Sequence, residues 1–155
     1  AFFEEMDFDA VTIAPYMGAD SVTPFLEYKD KWAIVLALTS NASAYQFQTA
    51  QKDGKPLYQA VMEEMMEIST PDNMMFVVGA TKADKLEELR SFCPDNFFLV
   101  PGVGAQGGSA EEVIAHGSND HGGLLINSSR AILFADSTED YAKVAAEVAS
   151  RTANL

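Results

Sequence analysis

Five short apolar runs, each followed by a polar turn and then by helical spacing, set the limits on what this chain can fold into. They are Ala10 to Ala14, stopped by Pro15; Trp32 to Leu38, ending at Thr39-Ser40-Asn41; Met74 to Val78, before Gly79-Ala80-Thr81; Phe97 to Val100, before Pro101; and Leu124 to Ile126, before Asn127. The runs are nearly continuous rather than alternating, the pattern of parallel strands covered on both faces. Strand and helix alternate throughout, which argues for an α/β protein with a parallel sheet. Five such strands fit a doubly wound open sheet, and equally the larger part of an eight-stranded barrel. The pattern alone leaves both open.

The helical stretches are less even. Ser21 to about Tyr28 is short, with Ser21 as N-cap and Pro24 in the first turn. A longer stretch begins near Ala44, breaks at Asp53-Gly54 and resumes from Pro56 to Ile68, where Leu57, Val61, Met65 and Ile68 form an apolar stripe. Lys82 to Phe92 carries Leu86, Leu89 and Phe92 in the same way. Residues 109–117 make a short helix, and Thr138 to about Thr152 a longer one with Tyr141, Ala145 and Val148 inward. No low-complexity linker or internal repeat interrupts the 155 residues, so a single domain is expected over 1–155.

Composition excludes several partners. The net charge is −13, and a surface that acidic repels nucleic acid and anionic membrane. An anionic ligand must therefore be held by a local site working against the global field. Cys93 is the one cysteine, which rules out a disulfide framework and points to a cytoplasmic protein. No apolar run is long enough for a transmembrane helix. The opening residues, Ala1-Phe2-Phe3-Glu4-Glu5-Met6, lack the basic region of a signal peptide and read like the last turns of a helix.

The most informative stretch is Leu99-Val100-Pro101-Gly102-Val103-Gly104-Ala105-Gln106-Gly107-Gly108, with four glycines in seven residues, followed by Ser109-Ala110-Glu111-Glu112, a helix-start signature. A strand leading into a glycine-rich turn and then a helix can aim backbone N–H groups at an anion. The next strand end, Asn127-Ser128-Ser129-Arg130, adds two hydroxyls and a permanently charged fork. Alone, that loop marks only a possible phosphate site; two adjacent strand ends that offer glycine N–H groups and an arginine resemble the phosphate grip of a β/α barrel, built from the loops after its last two strands.

Five strand ends in order, Asp9-Ala10-Val11-Thr12-Ile13-Ala14-Pro15-Tyr16-Met17-Gly18, Ala37-Leu38-Thr39-Ser40-Asn41, Val78-Gly79-Ala80-Thr81, Pro101 to Gly108 and Asn127 to Arg130, together resemble the orotidine 5′-phosphate decarboxylase family, in particular its longer bacterial subgroup with the Pro-Tyr-Met-Gly element. The resemblance runs over essentially the whole chain. It implies a TIM (β/α)8 barrel, of which these would be about the five C-terminal βα units, working as a homodimer on orotidylate with no metal and no organic cofactor. By the same resemblance Arg130 binds the phosphate, the Ser129 backbone N–H faces it, and Gln106 reaches it from the closing loop. Ser40 meets the pyrimidine edge, and Pro101 and Val103 pack near the base.

The family's catalytic array is an Asp-x-Lys-x-x-Asp element with a further lysine, on earlier strands. No Asp-x-Lys-x-x-Asp occurs here, so no catalytic residue is assigned in this chain and the array is expected upstream of Ala1. Two other readings stay open: a related phosphate-binding barrel enzyme, and a non-catalytic module for a phosphate ligand. Other conspicuous residues read as structural. His116 and His121 flank a turn with no third metal ligand beside them, Cys93 ends a helix, and the methionines fill the core.

Overall fold

The computed structural model describes residues 1–104 and 107–154, with residues 82–84 through their backbone alone. In chain order the elements are β1 (Ala10–Ile13), α1 (Thr23–Leu26), β2 (Trp32–Leu38), a small hairpin of β3 (Gln51–Lys52) and β4 (Lys55–Pro56), α2 (Leu57–Glu67), β5 (Met74–Val78), α3 (Ala83–Phe92), β6 (Phe97–Pro101), α4 (Ala110–Gly117), β7 (Leu124–Asn127), α5 (Ser129–Leu133) and α6 (Tyr141–Ala153). The five apolar runs are the five strands of one parallel sheet in the order β1-β2-β5-β6-β7. Each strand pairs with the next main strand in the chain, and the order never reverses. A doubly wound sheet needs such a reversal. The observed progression is that of consecutive units in a barrel.

The core lies between the sheet and its covering helices. Val35, Phe76, Phe98 and Val100 from the strands meet Met62 and Met65 of α2, Leu86 and Leu89 of α3, and Val113 of α4, all fully or almost fully buried. Burying side chains of this size contributes roughly 1.5–3 kcal/mol each. The buried polar side chain Asn96 is satisfied: it donates to the Met74 carbonyl at 3.0 Å and accepts from Cys93 Sγ at 3.1 Å.

Several local expectations are corrected. Ser21 caps no helix; its hydroxyl donates back to the Gly18 carbonyl at 2.6 Å within a 3₁₀ turn, and α1 is a single turn over Thr23–Leu26. The chain from Ala42 to Gln46 is 3₁₀, and Asp53-Gly54 is the turn of a hairpin rather than a break in a helix, with both residues at positive φ. The buried side of α2 carries Tyr58, Met62 and Met65, while Ile68 is exposed. In α6, Ala145 and Val148 are half-buried but Tyr141 faces solvent. Residues 1–6 form a turn closed by the Glu5 N–H on the Ala1 carbonyl.

Candidate functional site

Because the strands are parallel, their C-terminal ends share one edge of the sheet, despite a register shift between β2 and β5 at Leu36–Leu38. That edge holds the turn after Ile13, the segment Thr39-Ser40-Asn41, Gly79-Ala80, the glycine-rich stretch after Pro101, and Asn127 to Arg130. In parallel α/β proteins ligands bind at this edge.

The ends of β6 and β7 enclose a cavity of about 180 Å³ lined by Pro101, Val103, Asn127, Ser128, Ser129 and Arg130. Four of the expected ligand residues, Pro101, Val103, Ser129 and Arg130, are therefore brought together. Ser128 ties the two strand ends, its hydroxyl donating to the Val103 carbonyl at 2.9 Å. Gly102 and Gly104 stand at φ of 100° and 76°, which turn the chain sharply away from β6. Ser109 caps α4, accepting from the Glu112 N–H at 3.2 Å. Its hydroxyl also donates to Glu111 at 2.7 Å, which holds that carboxyl below its ordinary range.

The donors at this site are arranged differently from the sequence expectation. The Gly104, Gly107 and Gly108 N–H groups bond to carbonyls of the same loop, those of Gly108, Gly104 and Gly102. The Ser129 N–H is held by Asn127 Oδ1 at 3.2 Å, which also accepts from the Ser129 hydroxyl at 2.8 Å. Asn127, which carried no expectation, is thus the internal partner of Ser129; an asparagine two residues ahead of such a serine is the available signal. What remains unspent is Arg130. It is exposed, and among the described residues its guanidinium has no hydrogen bond or ion pair. Its planar fork suits a bidentate pair of anionic oxygens. Gln106 lies outside the described residues.

Ser40 does not line this cavity. It sits at the end of β2 with its Oγ buried and, among the described residues, without a hydrogen-bond partner. It faces Gly79 closely enough that a Cβ there would stand 2.0 Å from the Ser40 hydroxyl. A link to the β6 loop runs through the next residue, since a Cβ on Gly108 would meet Ala80 Cβ at 2.4 Å. A second cavity of about 690 Å³ lies beside the ends of β1 and β2, lined by groups such as Pro15, Tyr16, Leu36, Phe47 and Met65. It takes in none of the expected ligand residues.

The residues read as structural stay apart from this edge. His116 Nδ1 is 3.6 Å from a Glu87 carboxylate, and His121 is exposed. Cys93 is fully buried, and burial pushes its thiol up to about 11. Among the described residues no His, Cys, Asp and Glu side chains group to hold a metal, and no helix is long and apolar enough to cross a membrane.

Residues 1–145 match the family model described as "Orotidine 5′-phosphate decarboxylase / HUMPS family". The chain is 53% identical over 151 residues to the orotidine 5′-phosphate decarboxylase of Phocaeicola vulgatus, covering 97% of this chain and 56% of that protein. To the enzyme of the same name from Christiangramia forsetii it is 52% identical over 154 residues, covering 99% and 57%. Its fold superposes on Leishmania donovani UMP synthase with a TM-score of 0.84 at 37% identity, covering 97% of this chain and 34% of that one. The chain thus spans just over half the length of the curated relatives it matches. The structural relatives are β/α barrels, and the five parallel units here are units of such a barrel.

Proposed function

This chain belongs to the orotidine 5′-phosphate decarboxylase / HUMPS family, and on that premise we propose that the complete protein converts orotidylate to uridylate and CO2 in pyrimidine nucleotide synthesis. In this reading residues 1–155 are one unit, the C-terminal part of the barrel, and supply the ligand grip. The Asp/Lys array that acts on the carboxylate comes from chain outside them, in keeping with the lack of an Asp-x-Lys-x-x-Asp element here. The protein works as a cytoplasmic homodimer.

The observation that carries the proposal is Arg130, a guanidinium with no partner among the described residues, at a small cavity between two parallel strand ends in a chain whose net charge is −13. A phosphate is the anion that rewards such a placement. Arg130 takes two of its oxygens, and Pro101 and Val103 offer apolar surface nearby. The Ser129 N–H faces the phosphate once released from Asn127, and Gln106 reaches it from the closing loop. Ser40 meets the pyrimidine edge. Grip on the remote phosphate then helps at the reacting carbon, because binding energy realised away from the bond can be applied to holding the transition state.

The test is the fall in orotidylate absorbance with the polypeptide as its gene encodes it. Turnover without added metal is the expected result. A folded protein that binds uridylate without turning over orotidylate would instead fit a related barrel enzyme or a binding module.

A further inference from the structure

Resting on the reading that Ser40 meets the pyrimidine, we propose that Gln48 and Gly79 are positioning residues that hold Ser40 from two sides and so set affinity for the base end of the ligand. Ser40 lies between two tethered neighbours. Gln48 Oε1 accepts from the Thr39 N–H at 2.8 Å, and its Nε2 donates to Thr39 Oγ1 at 2.8 Å. That hydroxyl in turn donates to Asn41 Oδ1 at 2.5 Å. One glutamine thus fixes the residue before Ser40 directly and the residue after it through Thr39. Gln48 is itself held by its backbone, its N–H on the Ala44 carbonyl and its carbonyl accepting from Tyr58.

Gly79 closes the other side. Its N–H donates to the Leu38 carbonyl at 2.8 Å, and an added Cβ would stand 2.0 Å from Ser40 Oγ, 2.7 Å from Ser40 N and 3.0 Å from Ser40 Cα. Gly79 is not among the positive-φ glycines, so close approach rather than backbone conformation requires it. Between these supports the Ser40 hydroxyl is buried yet bonded to nothing among the described residues. Leaving a buried hydroxyl unspent is costly, and a ligand that takes it up recovers that cost. Ala80, next along, carries the contact to Gly108, so the same strand end braces both Ser40 and the glycine loop.

The experiment measures calorimetric affinity of the complete enzyme for uridylate and for ribose 5-phosphate, which keeps the phosphate and sugar but lacks the base. Gln48→Leu is expected to weaken uridylate about five- to tenfold, the worth of one neutral hydrogen bond, and to leave ribose 5-phosphate unchanged. In a Ser40→Ala background the same change should have no further effect, because its action passes through Ser40. Gly79→Ala should show the same selectivity, and Gln48→Leu carries the test if that variant does not fold. Equal losses for both ligands, or full additivity with Ser40→Ala, would overturn the proposal. If Ser40→Ala weakens uridylate selectively and Gln48→Leu does not, positioning alone fails. If Ser40→Ala changes nothing, the assignment of Ser40 fails with it.

Discussion

Strands β6 and β7 carry an arginine near each end, and the two are used in opposite ways. At the N-terminal ends, Arg90 of α3 reaches the carbonyls of Cys93, Pro94, Asn96, Gly117 and Gly123 at 2.7–3.2 Å and lies 4.0 Å from the centre of the Phe98 ring. Burial pulls its guanidinium below its ordinary value, though nearby Cys93 and Asp95 oppose the shift. At the C-terminal ends, Arg130 is exposed and has no partner among the described residues. One charge closes the fold. The other is free to meet something that arrives from solvent. In β/α barrels the two ends divide stability from function in this way.

The largest expected effect breaks the first half of that contrast. Arg90→Leu leaves five carbonyls without their shared donor and should cost about 3–5 kcal/mol in urea denaturation. Arg90→Lys should recover little, because an ammonium cannot reproduce a planar fork. A loss below about 1 kcal/mol would mean that water replaces the guanidinium freely.

Next in size, Arg130→Ala should weaken uridylate binding by roughly 2–4 kcal/mol, the range for truncating one partner of a desolvated charge pair. Its unfolding free energy should stay within about 0.5 kcal/mol of the parent, as for an ordinary surface change. Unchanged affinity would remove Arg130 from the ligand site, and a large stability loss would erase the contrast with Arg90.

The smallest effect sharpens the Arg90 end through pH. The Cys93 thiol is raised from 9.0 to about 11, chiefly by burial, with Arg90 opposing the shift. A group whose neutral form is favoured by folding contributes stability that is fully present below its unfolded value and is lost as pH rises through the folded one. Melting temperature should therefore fall between about pH 9 and 11 more steeply in the parent than in Cys93→Ala. Equal slopes would show that the thiol is not protected at this end.

The same contrast separates what the sequence made legible from what it hid. The five strands were readable because each is an apolar run, although only β2 and β5 are buried along most of their length and the edge strands β1 and β7 are half-covered, with Leu125 exposed. The Ser109 cap was readable because its chemistry is local. The grouping of Pro101, Val103, Ser129 and Arg130 followed from the strand ends. Arg90 was not readable as a clamp, since its acceptors are backbone carbonyls that leave no trace in residue type. The Gln51–Pro56 hairpin was hidden because its strands are two residues each, too short for any period, although Asp53-Gly54 is a hairpin dipeptide. Helix α5 is five residues and fails for the same reason. Gln48 acts nine residues from Thr39 across a 3₁₀ segment, a distance that no helical or strand spacing marks.

The sheet order has a consequence for assembly in time. Each parallel strand joins the one made just before it, so the sheet can grow by addition as the polypeptide emerges, with few long loops to close. Ser40 and Gly79 would meet before the glycine loop exists. Arg90 would wait longer: three of its acceptors follow α3 directly, but the last, Gly123, arrives only with β7. The guanidinium is then a latch that shuts when the fifth strand docks, and a chain stalled before that point would carry a half-buried charge with its acceptors still incomplete.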